Sequence, residues 1–394
     1  MKPGQGCFYL GAYRAFVSVK DAFLLVHSVS GCSWGALALR QMGRQDDVRQ
    51  AGTMVHEREI VFGGEGKLRE ALEILKARRP KRVFVLNGCP TDMIRDDIEG
   101  VIRQAACPFP VHWFNTAGYR GSMREGYIAA MCRLVPLLED GGKRDPRAVN
   151  LVGISADDYR GETDLAAIRK MLEPETRLNA ALPMLTEEGI RRWGEAGLNI
   201  VFRGFEAVGE ALKQRFGTAY ITVDYPYGAE GSAVFLRAVD EALGADHGET
   251  IRRGTEAAAD LAEKVVHPLR LLYQAEAAVA GDHMRASAMR RFLQEELGLR
   301  IAAYRDDLDP HEDGERWLEA VRDSGAVLVF GSAFERQLED ELPLRLIRFA
   351  YPVMDAVALG YQPYAGFDGL AYLLSDILNG VLAYPYRRRG QFEP

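Results

Sequence analysis

Three cysteines and one serine stand at comparable places in the first third of the chain. Cys7 lies in GCFYLGAYRAF, Cys32 in LLVHSVSGCSWGALALRQ, Cys89 in RVFVLNGCPTDMIRDDIEGVIRQ and Ser122 in VHWFNTAGYRGSMREGYIAAM. The last three segments share one pattern: an apolar run of strand length, a short turn containing Gly, the Cys or Ser, then a helical periodicity. In a parallel sheet the carboxyl ends of the strands line one edge, and ligands collect in the crevice there. Helix N-termini at that edge favour negative charge and lower the pKa of a thiol. Thiolates gathered from several strand ends are the donor set of an iron–sulfur cluster. Spacing alone leaves a second reading open, in which these thiols are small hydrophobes buried at a sheet edge.

The elements that must position these residues alternate between strand and helix, which predicts a parallel sheet. The pattern predicts a helix over 12–21, a strand over 22–27 and a helix over 33–42 beginning just after Cys32. A polar stretch follows, then a helix over 67–77. A strand over 82–86 precedes Cys89 and a helix over 91–104, and a strand over 111–114 precedes Ser122 and a helix running to 138. LEDGGKRDPRAV reads as a linker. Beyond it come a strand over 149–154 with a helix to 172, then LNIVF, a helix over 206–216, YITVDYPYGAEGS, and a helix over 233–243. Residues 245–275 are helical by pattern. A strand, turn, helix and second strand then open a third unit, and GAVLVFGSAFERQLEDELPLRLIRFAYP repeats that scheme before a closing helix over 366–382. The expectation is an α/β fold of three doubly wound, Rossmann-like parallel-sheet domains: 1–145 carrying the cysteines, 146–260 with a helical connection, and 261–394 with the C-terminal helix.

Composition narrows the function. A chain of 394 residues is too long for one ordinary core. Apolar residues make up 47% and charged residues 27%, which places it among soluble globular proteins. A net charge of −7, with no sustained basic stripe, argues against a nucleic-acid partner. No apolar run reaches the ~18 residues of a membrane span, and the N-terminus lacks the order of a signal peptide. Five cysteines in such a chain predict a reducing cytoplasm, where cysteine groups serve metal or redox sites rather than disulfides.

Other signals are weaker. GGEGK at 63–67 lacks the first Gly of a phosphate loop and has Leu68 where Ser or Thr would hold magnesium, so it reads as a solvated turn. GDHMRAS at 281–287 is explained by a strand-to-helix turn. There is no G-x-S-x-G elbow and no H-E-x-x-H. Asp96 and Asp97 read as a capped or solvated acidic helix face, Cys132 as core, Cys107 as a structural residue closing a helix, and Arg387-Arg388-Arg389 as a solvated or interface tail.

Over nearly its whole length the sequence resembles the β-type subunits of nitrogenase component 1-like proteins. The resemblance rests on the Cys-x24-Cys-x56-Cys spacing and HSVSGC ending at Cys32. It also rests on VFGG at 61–64, GCPTDMIRDDIEG around Cys89, NTAGYRGSMREGY around Ser122 and GSAFERQLEDELPLRLIRFAYPVMDAV. It implies that Cys7, Cys32 and Cys89, with cysteines of an α-type subunit, hold an 8Fe–7S P-cluster at the subunit interface of an α2β2 assembly. It further implies that Ser122 can add an oxygen ligand in the oxidised state and that Phe62 is an apolar docking residue for an ATP-dependent 4Fe–4S reductase. No catalytic residue is expected in this chain, because the catalytic iron–sulfur cluster would sit in the α-type partner.

Within the family, three cysteines set the chain apart from protochlorophyllide-reductase relatives and cofactor-assembly scaffolds, which hold a four-iron cluster. CFYLGAYRAF departs from the Cys-Pro-type start of nitrogenases, and the chain begins six residues before Cys7. The branch it then resembles most is methylthio-alkane reductase, which cleaves C–S bonds of small thioethers to methanethiol and hydrocarbon. A dinitrogenase β subunit and a non-catalytic assembly scaffold are the alternatives.

Overall fold

The computed structural model describes residues 6–39, 49–273, 275–308 and 314–390, with side chains described as far as 383. Three four-stranded, all-parallel sheets follow one another along these residues. The first comprises β1 (Ala22–His27), β2 (Gln50–Gly52), β3 (Arg82–Asn87) and β4 (Val111–Phe114), in the spatial order β2-β1-β3-β4. The second comprises β5 (Asp145–Val152), β6 (Arg177–Leu182), β7 (Ala196–Phe202) and β8 (Tyr220–Val223), in the order β6-β5-β7-β8. The third comprises β9 (Glu276–Ala280), β10 (Arg300–Arg305), β11 (Leu328–Gly331) and β12 (Arg345–Arg348), in the order β10-β9-β11-β12. In each sheet the second strand lies to one side of the first and the third strand to the other. The crossover helices diverge at that point, which opens a crevice beyond the carboxyl ends of the first and third strands.

The first sheet shows why its strands read as apolar runs: helices cover both faces. Phe23, Leu25, Val83 and Val85 face Leu68, Leu72 and Leu75 of α4 (Glu65–Arg78) and Ile98, Val101 and Ala105 of α6 (Ile98–Ala105). Leu24, Val26, Phe84 and Leu86 belong to the other core, with Tyr13 and Phe16 of α1 (Phe8–Val17) and Met131 and Leu134 of α7 (Met123–Leu134). Three leucines at i, i+4 and i+7 give α4 one apolar stripe, and each full burial contributes about 1.5–3 kcal/mol.

A buried ionic junction ties the three sheets together. Asp158, after β5, accepts from Arg14 of α1 at 2.8 Å and from Arg285, after β9, at 2.8 Å. Its Oδ2 also accepts the Ser155 N–H at 2.6 Å. The closing helix, Gly366–Gly390, packs on Gly161–Leu172 and Gly228–Leu243 as well as on β12.

Several boundaries differ from the periodicity. The first helix begins at Phe8, because Cys7 is its N-cap and Gly11 interrupts the apolar signal. The helix expected after Cys32 is α2 (Ser30–Ala38), so Cys32 lies within its first turn; the end expected at 40–42 lies outside the described residues. The polar stretch contains the short edge strand β2 and the helix α3 (Glu57–Phe62). The expected linker supplies the start of β5, and β6, unforeseen, begins at Arg177. The helix expected over 91–104 is two helices, α5 (Cys89–Met93) and α6, broken at Arg95, whose φ is 60°. The side chains of Arg387, Arg388 and Arg389 lie outside the described residues.

Candidate functional site

The crevice of the first sheet brings the cysteines together. Cys32 follows β1, Cys89 follows β3, and these two strands pair in register from Ala22–Arg82 to His27–Asn87. Gly88, beside Cys89, packs against the segment before Cys32: an added Cβ there would lie 1.9 Å from Ser28 Oγ and 3.2 Å from Cys32 Sγ. Only a glycine allows that approach.

Cys7 arrives from the other side. Residues 7 and 122 form an isolated antiparallel bridge, with Phe8 N–H donating to Gly121 C=O at 2.9 Å and Met123 N–H to Gly6 C=O at 3.0 Å. Helices α1 and α7 then touch backbone to backbone. An added Cβ at Gly11 would lie 1.8 Å from the Met123 oxygen, and one at Gly126 would lie 2.0 Å from the Phe8 oxygen. The turn after β4 closes the group, since an added Cβ on Gly118 would lie 3.0 Å from Cys7 Sγ and 3.3 Å from Cys89 Sγ. All three sulfurs thus border one small volume beyond the β1–β3 edge.

Polar contacts to two of the sulfurs are defined. Gly118 N–H donates to Cys89 Sγ at 3.1 Å, and the buried Ser28 hydroxyl donates to Cys32 Sγ at 3.3 Å. Burial raises the Cys32 thiol above its ordinary value, and the neighbouring Cys89 and Cys7 add to the rise against the Ser28 hydrogen bond. The Gly118 turn is itself pinned. Asn87 accepts from Trp113 Nε1 at 3.2 Å and from Thr116 N–H at 3.1 Å, Asn115 donates to Asp92 at 2.7 Å, and Tyr119 donates its hydroxyl to Asp92.

Ser122 is the N-cap of α7. Its hydroxyl accepts Glu125 N–H at 3.2 Å and donates to the Glu125 carboxylate at 2.9 Å, a capping box. Hydrogen bonds from the Ser122 N–H and hydroxyl hold the Glu125 carboxyl below its ordinary value. Phe62, the last residue of α3, is 82% exposed, so it is a surface residue rather than core. Cys132 packs against the larger core and Cys107 against the smaller one, as expected of structural thiols. Among the described residues no three His, Cys, Asp or Glu side chains close around a single ion, and no helix there is long and apolar enough to cross a membrane.

Two readings of the sequence are corrected in part here. Gly63 and Gly66 of GGEGK are exposed, as expected of a solvated turn, but Gly64 is buried, and an added Cβ there would lie 2.5 Å from Asp96 Oδ2. Asp97 caps α6 by accepting Gly100 N–H at 2.9 Å, as expected of a cap. Asp96, however, lies between helices, and its side chain is 2% exposed and bonded to His27. His27, Ser28, Asp96 and Gly118 were all missed as site residues. His27 and Ser28 stand inside HSVSGC and Gly118 inside NTAGYRG, so the motifs contained them without revealing which way they face.

The comparisons with known proteins agree with this architecture. The chain is 24% identical to the nitrogenase vanadium-iron protein beta chain of Trichormus variabilis, over 96% of this chain and 93% of that one. It is 25% identical to the nitrogenase iron-molybdenum cofactor biosynthesis protein NifE of Methanosarcina barkeri, over 82% and 74%. The solved structure "Nitrogenase Cp1 at pH 6.5" superposes with a TM-score of 0.81 at 18% identity, covering 98% of this chain and 94% of that one, which establishes the likeness of fold. The family profile for nitrogenase component 1 type oxidoreductases matches residues 7–382, from the first cysteine into the closing helix, and this chain belongs to that family.

Proposed function

We propose that this chain is the β-type subunit of a nitrogenase-like reductase, relaying electrons from an ATP-dependent iron–sulfur reductase toward an α-type partner. The observation that carries this reading is the convergence of Cys7, Cys32 and Cys89 at the crevice of the first sheet. The donor set fits an iron–sulfur cluster. There are three thiols and no competing imidazole or carboxylate set closing on a single ion among the described residues. Cys7 is exposed, which leaves the group open on one side for ligands from another chain, as a shared P-cluster requires. Bound there, such a cluster supplies one-electron transfer.

The residues of this chain then have definite work. Cys7, Cys32 and Cys89 ligate; Ser28 and the Gly118 amide donate to two of the thiolates and so favour their charged form. Ser122 could add an oxygen ligand only by giving up its hydroxyl contact to Glu125. Phe62 presents an apolar side chain to a docking reductase. The catalytic iron–sulfur cluster is assigned to the α-type partner of an α2β2 assembly.

For substrate, we propose the reductive cleavage of C–S bonds in methylthio-alkanes. The complete cysteine set supports this against the four-iron branches, and CFYLGAYRAF at the first cysteine supports it against dinitrogenase. The test is headspace analysis of the anaerobically purified complex with its reductase and ATP, on a small thioether and, in parallel, under dinitrogen. Methanethiol with hydrocarbon is the expected product. Ammonia without methanethiol would make the complex a dinitrogenase, and neither product despite bound iron would make it an assembly scaffold. In the same preparation Cys89→Ala should lose cluster iron and turnover together; full iron and activity would end the relay reading.

A further inference from the structure

Beneath the exposed Phe62 lies a buried junction that ligation of a cluster does not require. His27 ends β1 and is fully buried. Its Nε2 is 2.9 Å from Asp96 Oδ2 and its Nδ1 is 3.0 Å from Thr53 Oγ1. Its backbone carbonyl accepts Gly88 N–H at 3.1 Å and the Thr91 hydroxyl at 2.7 Å. The other oxygen of Asp96 accepts Gly64 N–H at 2.9 Å. Gly64 meets the pair so closely that an added Cβ would lie 2.5 Å from the carboxylate and 3.1 Å from the imidazole ring. The Asp96 carboxylate, the His27 ring and the His27 backbone carbonyl therefore join three pieces of chain. The carboxylate holds the turn directly after Phe62, the ring holds the carboxylate to the strand that leads to Cys32, and the carbonyl holds the turn that leads into Cys89.

The chemistry of the junction is unusual for a purely architectural role. Burying a carboxylate costs several kcal/mol, and a well-packed apolar pair of similar volume would serve stability as well or better. What a hydrogen-bonded pair adds is fixed geometry: Asp96 uses both oxygens, one toward the surface turn and one toward the ring. Gly63, with φ of 96°, takes a backbone conformation suited to glycine, which lets the turn bring Gly64 against the pair.

We propose that the His27–Asp96 pair is a coupling element, transmitting displacement of the surface turn at Gly63–Gly64 to the turns that carry Cys89 and Cys32. His27 and Asp96 are positioning residues for reductase-driven electron transfer. This rests on the functional reading above, because it takes the partner that engages Phe62 to be the electron donor.

The experiment compares Asp96→Asn, Gly64→Ala and Phe62→Ala with the wild type in the assembled complex. Three readouts are taken: iron content, reduction by a low-potential chemical reductant, and the single-turnover rate of electron transfer across a range of reductase concentrations. Asp96→Asn and Gly64→Ala should keep iron and chemical reduction while the rate at saturating reductase falls by about tenfold, the scale of one lost charge-assisted hydrogen bond. Phe62→Ala should instead raise the reductase concentration needed for half-maximal rate and leave the saturating rate in place. An unchanged saturating rate in both coupling variants would overturn the inference, as would a rate loss that merely tracks iron loss. If the wild-type complex accepts electrons chemically but never from a reductase, the functional reading itself fails, a result distinct from failure of the coupling variants alone. Should Asp96→Asn not assemble, His27→Gln, which keeps a polar group in the same place, takes its position in the series.

Discussion

The backbone N–H of Gly118 points at Sγ of Cys89 from 3.1 Å, while the missing side chain of the same glycine is what leaves room for Cys7. One residue thus serves two cysteines, one through its amide and one through its absent Cβ. Gly118→Ala should therefore act as a cluster variant although it touches no ligand covalently. An added methyl would sit 3.0 Å from Cys7 Sγ and 3.1 Å from Cys7 Cβ, tighter than ordinary contact. Iron per complex should fall by half or more, on the scale of overpacking costs of about 1–3 kcal/mol. The fold, read by far-ultraviolet circular dichroism, should be retained. Undiminished iron would show that the Cys7 turn yields freely.

Ser28 offers a gentler probe. Its hydroxyl is buried and donates to Cys32 Sγ at 3.3 Å. Donors to a thiolate stabilise the more negative, reduced state of a ligated cluster. Ser28→Ala removes about 1–2 kcal/mol of such stabilisation. At about 59 mV per tenfold change for a one-electron couple, the potential should fall by tens of millivolts. An electron paramagnetic resonance redox titration would read the shift, with iron content as the control for an intact site.

The junction of the three sheets makes a stability prediction. Asp158 is 2% exposed and sits between Arg14 and Arg285, themselves nearly as buried. Asp158→Ala would leave two buried guanidinium groups without their shared partner. Breaking a buried pair on one side costs about 3–5 kcal/mol, so thermal unfolding should begin well below that of the wild type. A midpoint within a degree of the wild type would mean that the arginines find other acceptors.

A pH-dependent contribution is expected from Asp307. Burial pushes its carboxyl up to about 6, and Asp282 adds to the rise against Arg124 and the His283 N–H. A carboxyl raised above its unfolded value of about 3.9 favours the folded state while protonated. That contribution is complete below about pH 4 and is lost as pH rises through about 6. Measured across pH 4 to 7, wild-type stability should decline relative to Asp307→Asn. Each pKa unit corresponds to about 1.4 kcal/mol, and solvent screening at a side chain that keeps 27% exposure reduces the total below that product. A constant difference between the two proteins over this range would refute the assignment.

The residue order by itself determined the architecture and singled out the candidate ligands. Apolar runs such as Ala22–His27 and Arg82–Asn87 are buried on both faces, so their strand character shows as continuous hydrophobicity whatever their neighbours do. Cys7, Cys32 and Cys89 could be singled out because each stands at a chain turn before or at the start of a helix, a local property. Short or polar elements were not legible in this way. β2 has three residues and no apolar run, and β6 begins with Arg177, so only pairing with β1 and β5 makes them strands.

Tertiary structure alone decided which polar groups face the sulfurs and which join distant segments. Asp96 stands beside Asp97 in the chain, with equal charge and nearly equal local surroundings. One caps a helix at the surface and the other is buried against His27, 69 residues away. Burial and hydrogen-bond partners arise from contacts between remote segments, and a one-dimensional pattern of hydrophobicity carries no record of them. The same holds for Gly118: its place in a turn could be read locally, but its proximity to two sulfurs exists only once α1, β3 and β4 are packed together.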